Sequence, residues 1–215
     1  PVILGGDDLT VICRGDIALK YVEAFLRSFE VNTREIVKME LSACAGIAYI
    51  KASFPFYYGY HLAEDLCTEA KKVAKGISQD EIPSCLMFHK VQDSFTESYD
   101  LIKKRELETE DGGSFSYGPY FVHQRDGFFT INELLKKANK ELDSVGMRSG
   151  IRKWISAMHS DANKAVQMKD RMLQMFKEYR DDYRTIIELT GVDERGAYPA
   201  KDVLDINSII TKPTK

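Results

Sequence analysis

Two hydrophobic periods alternate over residues 1–92, and that alternation limits what the chain can fold into. Short β-prone runs are interleaved with two long stretches of helical spacing, in the order strand, strand, helix, strand, helix, strand. Such an order needs a small sheet with helices packed on it, because neither element can bury its apolar side alone. The first two runs, 1–4 and 9–13, are joined by Gly5-Gly6-Asp7-Asp8. Glycine accepts the positive φ of a tight turn, so this segment reads as a hairpin. Asp16 is the expected cap of the first helix, whose apolar face runs Ile17, Tyr21, Phe25 and Phe29, with Ala18, Val22 and Leu26 beside it. Residues 40–52 spell a further strand. Pro55 and Gly59 punctuate the entry to a helix over about 60–75, Gly76 stops it, and 85–89 is the last strand of the set.

Beyond residue 93 the pattern changes. Gly112-Gly113-Ser114 and Gly118-Pro119 mark turns in an irregular connector over 94–129. Thr130-Ile-Asn-Glu133 is a capping box, in which hydroxyl and carboxylate satisfy the first free N–H groups of a helix. Ile131, Leu134, Leu135, Ala138 and Leu142 supply that helix's apolar face. Helices are then expected over about 149–159, around Trp154, and over 161–189, ending at Gly191. After Pro199 the chain reads as mostly extended. The fold class is therefore α+β: a sheet-and-helix domain over 1–93, the connector over 94–129, a helical domain over 130–198 and an extended tail over 199–215.

Charge and composition narrow the function classes. The 30 Lys and Arg against 33 Asp and Glu leave −3 over 215 residues, which globally supports neither a polybasic nucleic-acid module nor an acidic disordered tail. No apolar run approaches the roughly 20 residues of a membrane span, so no membrane is expected as a partner. Cys13, Cys44, Cys67 and Cys85 contain no C-x-x-C pair and sit among apolar residues, which fits reduced thiols and a cytoplasmic location. His61, His89, His123 and His159 have no metal-binding spacing. Phe54, Phe56, Tyr57, Tyr58 and Tyr60, at a strand–helix junction, are expected mostly in the core, with Phe54 or Phe56 lining a pocket.

The chemistry concentrates at the hairpin tip. Asp7 and Asp8 are adjacent carboxylates, the hard oxygen ligands that suit Mg²⁺ beside substrate phosphates. Gly5 and Gly6 would let the backbone approach a triphosphate with no Cβ in the way.

The motif Leu4-Gly-Gly-Asp-Asp-Leu9 between two strands resembles the GGDD hairpin of nucleotide-polymerising palm domains, a group shared with GGDEF-type cyclases. Ala45-Gly-Ile-Ala48 is similar to the AGIA strand of that group, and Ala63-Glu-Asp-Leu66 through Glu69-Ala-Lys-Lys72 resembles the helix that follows it. The GGDD form, Ser53-Phe-Pro-Phe56 and the helical second half resemble the large polymerase/cyclase subunit of type III CRISPR effector complexes, or a stand-alone relative of its second palm. Met147-Arg-Ser-Gly-Ile-Arg152 resembles the start of that family's C-terminal helical domain.

The resemblance implies a ferredoxin-like palm, an antiparallel sheet with helices on one face. A complete palm of this group opens with a strand and helix ahead of the hairpin, so the expected fold is N-terminally incomplete. It further implies that Asp7 and Asp8 bind Mg²⁺ (or Mn²⁺), that Gly5 and Gly6 form the nucleotide-approaching turn, and that Lys71 contacts triphosphate oxygens. The implied activity joins ATP molecules into cyclic oligoadenylates in antiviral defence, with other CRISPR effector subunits and guide or target RNA as partners. An inactive palm scaffold that binds nucleotide, RNA or effector subunits is the alternative. A cyclic-dinucleotide synthase is disfavoured by Asp rather than Glu at position 8.

Overall fold

A computed structural model describes residues 2–6, 8–39, 41–78, 81–92, 98–140 and 145–210. The chain is α+β. Strands β1 (Ile3–Gly5) and β2 (Asp8–Thr10) form an antiparallel hairpin with Gly5 opposite Asp8. Gly6 holds φ +63° in the turn, the left-handed conformation for which glycine is suited. The hairpin is a two-stranded sheet of its own, and Leu4 is 79% exposed.

The main sheet has the order β3 (Cys44–Tyr49), β4 (Cys85–Lys90), β5 (Tyr120–Phe121). It is mixed, not antiparallel: β3 and β4 run parallel, and only β5 is antiparallel to β4. The reason is the connection. Helix α2 (Phe56–Ile77) carries the chain from the end of β3 back to the start of β4, and a crossover of this kind joins parallel strands. Cys44, Gly46 and Cys85 face α2: a Cβ on Gly46 would strike the α2 backbone, and Cys85 Sγ lies 3.5 Å from the Ala70 carbonyl. On the other face, Tyr49 packs edge-on against Phe88, and Phe88 stacks on Tyr120.

Helices therefore cover both faces, not one. The second cover includes α8 (Ala200–Ile210), where an extended tail was expected. Pro199 precedes the first helical turn, where its fixed φ and missing N–H cost nothing. Helix α8 packs on α1, α4, α5 and α7 and is buried nearly all round. Its polar residues point inward to partners. Asp202 accepts from the Tyr120 hydroxyl at 2.6 Å, Asp205 accepts from Lys201 at 2.8 Å, and Asn207 donates to the Ala138 carbonyl at 2.7 Å.

Helix α1 (Gly15–Ile36) starts one residue before Asp16, so Asp16 is not its cap. Instead Asp16 lies in the first turn, where its charge suits the helix dipole and pairs with Arg14. Only part of the expected apolar face of α1 is covered. Ala18, Leu19 and Leu26 are buried, whereas Ile17, Tyr21 and Phe25 remain exposed.

Residues 98–129, within the irregular connector, hold several short elements. They form a short helix α3 (Tyr99–Ile102), a π-helical turn (Lys103–Leu107) and β5, and they bury Phe115, Tyr117, Tyr120 and Phe121 in the core. Helix α4 (Ile131–Lys140) opens with the capping box as read. The Thr130 N–H donates to Glu133 Oε2 at 2.7 Å, and the Glu133 N–H donates to Thr130 Oγ1 at 3.1 Å. Replacing Thr130 by Ala should lower unfolding free energy by about 1 kcal/mol in urea titrations, with Thr130→Ser close to wild type.

Helix α5 (Val145–Met158) buries Trp154 against Phe115 and Tyr198. The single helix expected over 161–189 is two: α6 (Ala162–Met175), capped by the Asp161 side chain, and α7 (Arg180–Thr190). Phe176 and Tyr179 close a turn between them, and Asp181 and Asp182 occupy the first turn of α7. Acidic residues favour a helix N-terminus, which suits a fresh start there.

Candidate functional site

The hairpin tip carries its carboxylate within electrostatic range of α2, where Asp8 acts on Tyr60 and Cys67. Asp8 is the last paired residue of β2, and its carboxylate is exposed. Asp7 lies outside the described residues. Gly5 has nothing within 4 Å of the place a Cβ would occupy, so the space beside the turn is open.

The facing side of α2 is built by helical spacing. Tyr60, Glu64, Cys67 and Lys71 follow at i, i+4, i+7 and i+11, which puts them in one row. Their electrostatics show which charges act on them. Tyr60 is pushed up by its hydrogen bond to Glu64, and the negative charges of Glu64 and Asp8 add to this. The Cys67 thiol is pushed up first by burial, with Asp8 and Glu64 raising it further and Lys71 opposing them. The Cys67 thiol thus feels the charges of both Asp8, on β2, and Lys71, one of its neighbours in the α2 row. Lys71 itself is exposed, as is its neighbour Lys72.

Glu64 and Cys67 belong to this row although the motif alone does not single them out. The signal that finds them is the spacing from Tyr60 to Lys71. Glu64 matters chemically because its carboxylate, like that of Asp8, acts on Tyr60 and Cys67. Among the described residues no group of three or more His, Cys, Asp or Glu side chains is arranged to hold a metal ion. The donor chemistry that is present still fits a hard divalent cation. Asp8 is an exposed carboxylate, and Mg²⁺ takes one or two such groups plus substrate phosphates.

The aromatic residues at the start of α2 are not core, contrary to expectation. Phe56, Tyr57 and Tyr58 are all exposed, Tyr57 by 65%. Tyr57 packs edge-on against Tyr58 and His61, and Phe56 lies 6.2 Å from Tyr60. Ring faces held at the surface can stack on a flat heterocycle.

Three thiols line the β3–α2 contact. Cys44 and Cys85 are register partners with sulfurs 3.8 Å apart, and the Cys67 thiol donates to the Cys44 carbonyl at 3.2 Å. All four cysteines are free; Cys13 is exposed instead of packed in the core. The Cys44 thiol is lowered by its hydrogen bond to Cys85, and the charges of Lys71 and Lys75 act in the same direction.

The sequence matches no protein-family model and no curated protein. No helix among the described residues is long and apolar enough to cross a membrane.

Proposed function

We propose that this chain is a CRISPR-associated palm-type protein that binds ATP at the Gly5-Gly6-Asp7-Asp8 hairpin and catalyses Mg²⁺-dependent nucleotidyl transfer. One observation supports the reading: the Gly5-Gly6 turn leaves Asp8 exposed at a hairpin tip with open space beside Gly5, and its charge acts on Tyr60 and Cys67 of the α2 row that ends in Lys71. Asp7 and Asp8 would hold Mg²⁺ or Mn²⁺. When bound, the ion neutralises triphosphate charge and lowers the cost of charge build-up in transfer. Lys71 offsets further phosphate charge from the opposite side. Gly5 and Gly6 give the phosphates access to backbone, and the exposed rings of Phe56 and Tyr57 offer stacking surfaces for adenine. The 3′-hydroxyl of one nucleotide attacks the α-phosphate of another, a P–O bond forms, and pyrophosphate leaves. Positioning supplies most of the rate in such a reaction. Effector subunits and guide or target RNA are the partners this reading entails.

The test is incubation with ATP and Mg²⁺ or Mn²⁺, followed by mass spectrometry and a pyrophosphate assay. Cyclic oligoadenylates that disappear in Asp8→Ala, with the melting temperature unchanged, support the enzyme. ATP binding without pyrophosphate release supports the second reading, an inactive scaffold.

A further inference from the structure

A cleft of about 510 Å³ shares no residue with the hairpin. This volume lies in the range of small-molecule sites. Its floor is the C-terminal end of β4, through Lys90 and Gln92. In sheets with parallel strands, ligands gather at that end. Two helices give the walls by their spacing. Helix α5 presents Arg152, Ile155 and Ser156, with His159 just past its end, and α8 presents Lys201, Leu204, Asp205 and Ser208. The π-helical turn closes a further side with Arg105 and Glu106. Turns of this type often sit at functional sites, because the extra residue re-aims side chains.

The charge of the cleft is unlike that of the chain. Lys90 and Lys201 both reach Asp205, at 3.4 and 2.8 Å, so two ammonium groups share one carboxylate. Gln92 also donates to Asp205, at 3.4 Å. Glu106 is engaged by Arg105 and lies 3.8 Å from His89. Arg152 is exposed on the wall and has no ion-pair partner among the described residues. Cations therefore exceed carboxylates here in a chain whose net charge is −3. Ile155 and Leu204 add apolar surface between the charged groups.

We propose that this cleft is a second binding site, one for a phosphate-bearing small molecule of nucleotide size. Arg152 is its anchoring residue. A guanidinium donates two parallel hydrogen bonds to phosphate oxygens, and Lys90 and Lys201 supply the positive field behind it. Ile155 and Leu204 accept the non-phosphate part of the ligand. The inference goes beyond the hairpin reading and does not rest on it.

The experiment is isothermal titration calorimetry of the full chain in metal-free buffer, with inorganic tripolyphosphate and with ATP as separate probes. Saturable one-site binding is expected for the wild type. Arg152→Ala should weaken it about tenfold, as loss of a charge-assisted hydrogen-bond pair implies. Arg152→Lys should recover part of the loss, and Lys72→Ala, a change to an exposed lysine on α2, should leave binding within about twofold of wild type. Tighter binding of ATP than of tripolyphosphate assigns the Ile155–Leu204 wall to the nucleoside; equal binding assigns recognition to phosphate alone. Absence of saturable binding overturns the proposal. So does equal weakening by Arg152→Ala and Lys72→Ala, which marks unspecific attraction. Loss of binding in Asp8→Asn with Arg152→Ala unaffected also overturns it, because the phosphate would then sit at the hairpin.

Discussion

Gly46→Ala should cost about 4 kcal/mol or more, seen as a large fall in urea midpoint and melting temperature. A Cβ at this position would lie 2.0 Å from the Ala63 carbonyl oxygen and 2.6 Å from the Cys67 nitrogen. Both are α2 backbone atoms, so no side-chain rotation relieves the overlap. Helix and strand would have to separate, opening the contact that also holds Cys44, Cys67 and Cys85 together. The chain has only about 5–15 kcal/mol of stability to lose, if it is typical of its size. Gly59→Ala is the control. Its Cβ would meet Ile50 Cδ1 at 2.8 Å, the free end of a flexible and partly exposed side chain. Removing a glycine from within a helix gains up to about 1 kcal/mol, so this variant should be near neutral. If Gly46→Ala melts like wild type, the described approach of α2 to β3 is wrong.

The same glycine shows how far residue patterns reach. Ala45-Gly-Ile-Ala48 is legible as a strand and as a family-like motif, but only the packing explains why position 46 has no side chain. The hairpin was legible because Gly5-Gly6-Asp7-Asp8 leaves few other conformations, and the Thr130–Glu133 box because its two hydrogen bonds are local. Helix α8 was not legible. A surface helix announces itself by a polar face, whereas α8 buries Lys201, Asp202, Asp205 and Asn207 against partners distant in sequence. The break between α6 and α7 lacks Gly or Pro, so apolar spacing ran through it. At the candidate site, spacing alone predicts the row from Tyr60 to Lys71. What it cannot predict is that the charge of Asp8 reaches that row, since this depends on how distant segments are arranged. The aromatic group at 56–58 misled for a related reason: composition says these rings prefer burial, but nothing in the described fold packs over them.

Asp202 and His89 should give the protein two pH dependences of opposite sign, separable by mutation. Both side chains line a small buried space beside Tyr99 and Tyr120. Burial pushes the Asp202 carboxyl up to about 7 from 3.8, against the opposing hydrogen bond from Tyr120 and the charge of Lys201. Burial and then Lys201 push His89 down to about 4 from 6.5, with Asp205 opposing. Between pH 4 and 7 the folded chain holds a proton on Asp202 that the unfolded chain has lost, so this group makes stability fall as pH rises. Between pH 4 and 6.5 the unfolded chain holds a proton on His89 that the folded chain lacks, so this group makes stability rise with pH. Over the shared window the two slopes nearly cancel. Asp202→Asn keeps an acceptor for the Tyr120 hydroxyl and removes the buried ionisation. It should gain ~2–4 kcal/mol at pH 8 and expose the rising slope of His89, about 1.4 kcal/mol per pH unit below 6.5. His89→Gln should expose the falling slope instead, with stability declining from pH 4 towards 7. Urea unfolding at half-unit pH intervals measures both. Parallel curves for wild type and the two variants would show that neither group titrates differently on folding, and that the charges around Lys201 and Asp205 compensate for burial at this point in the core.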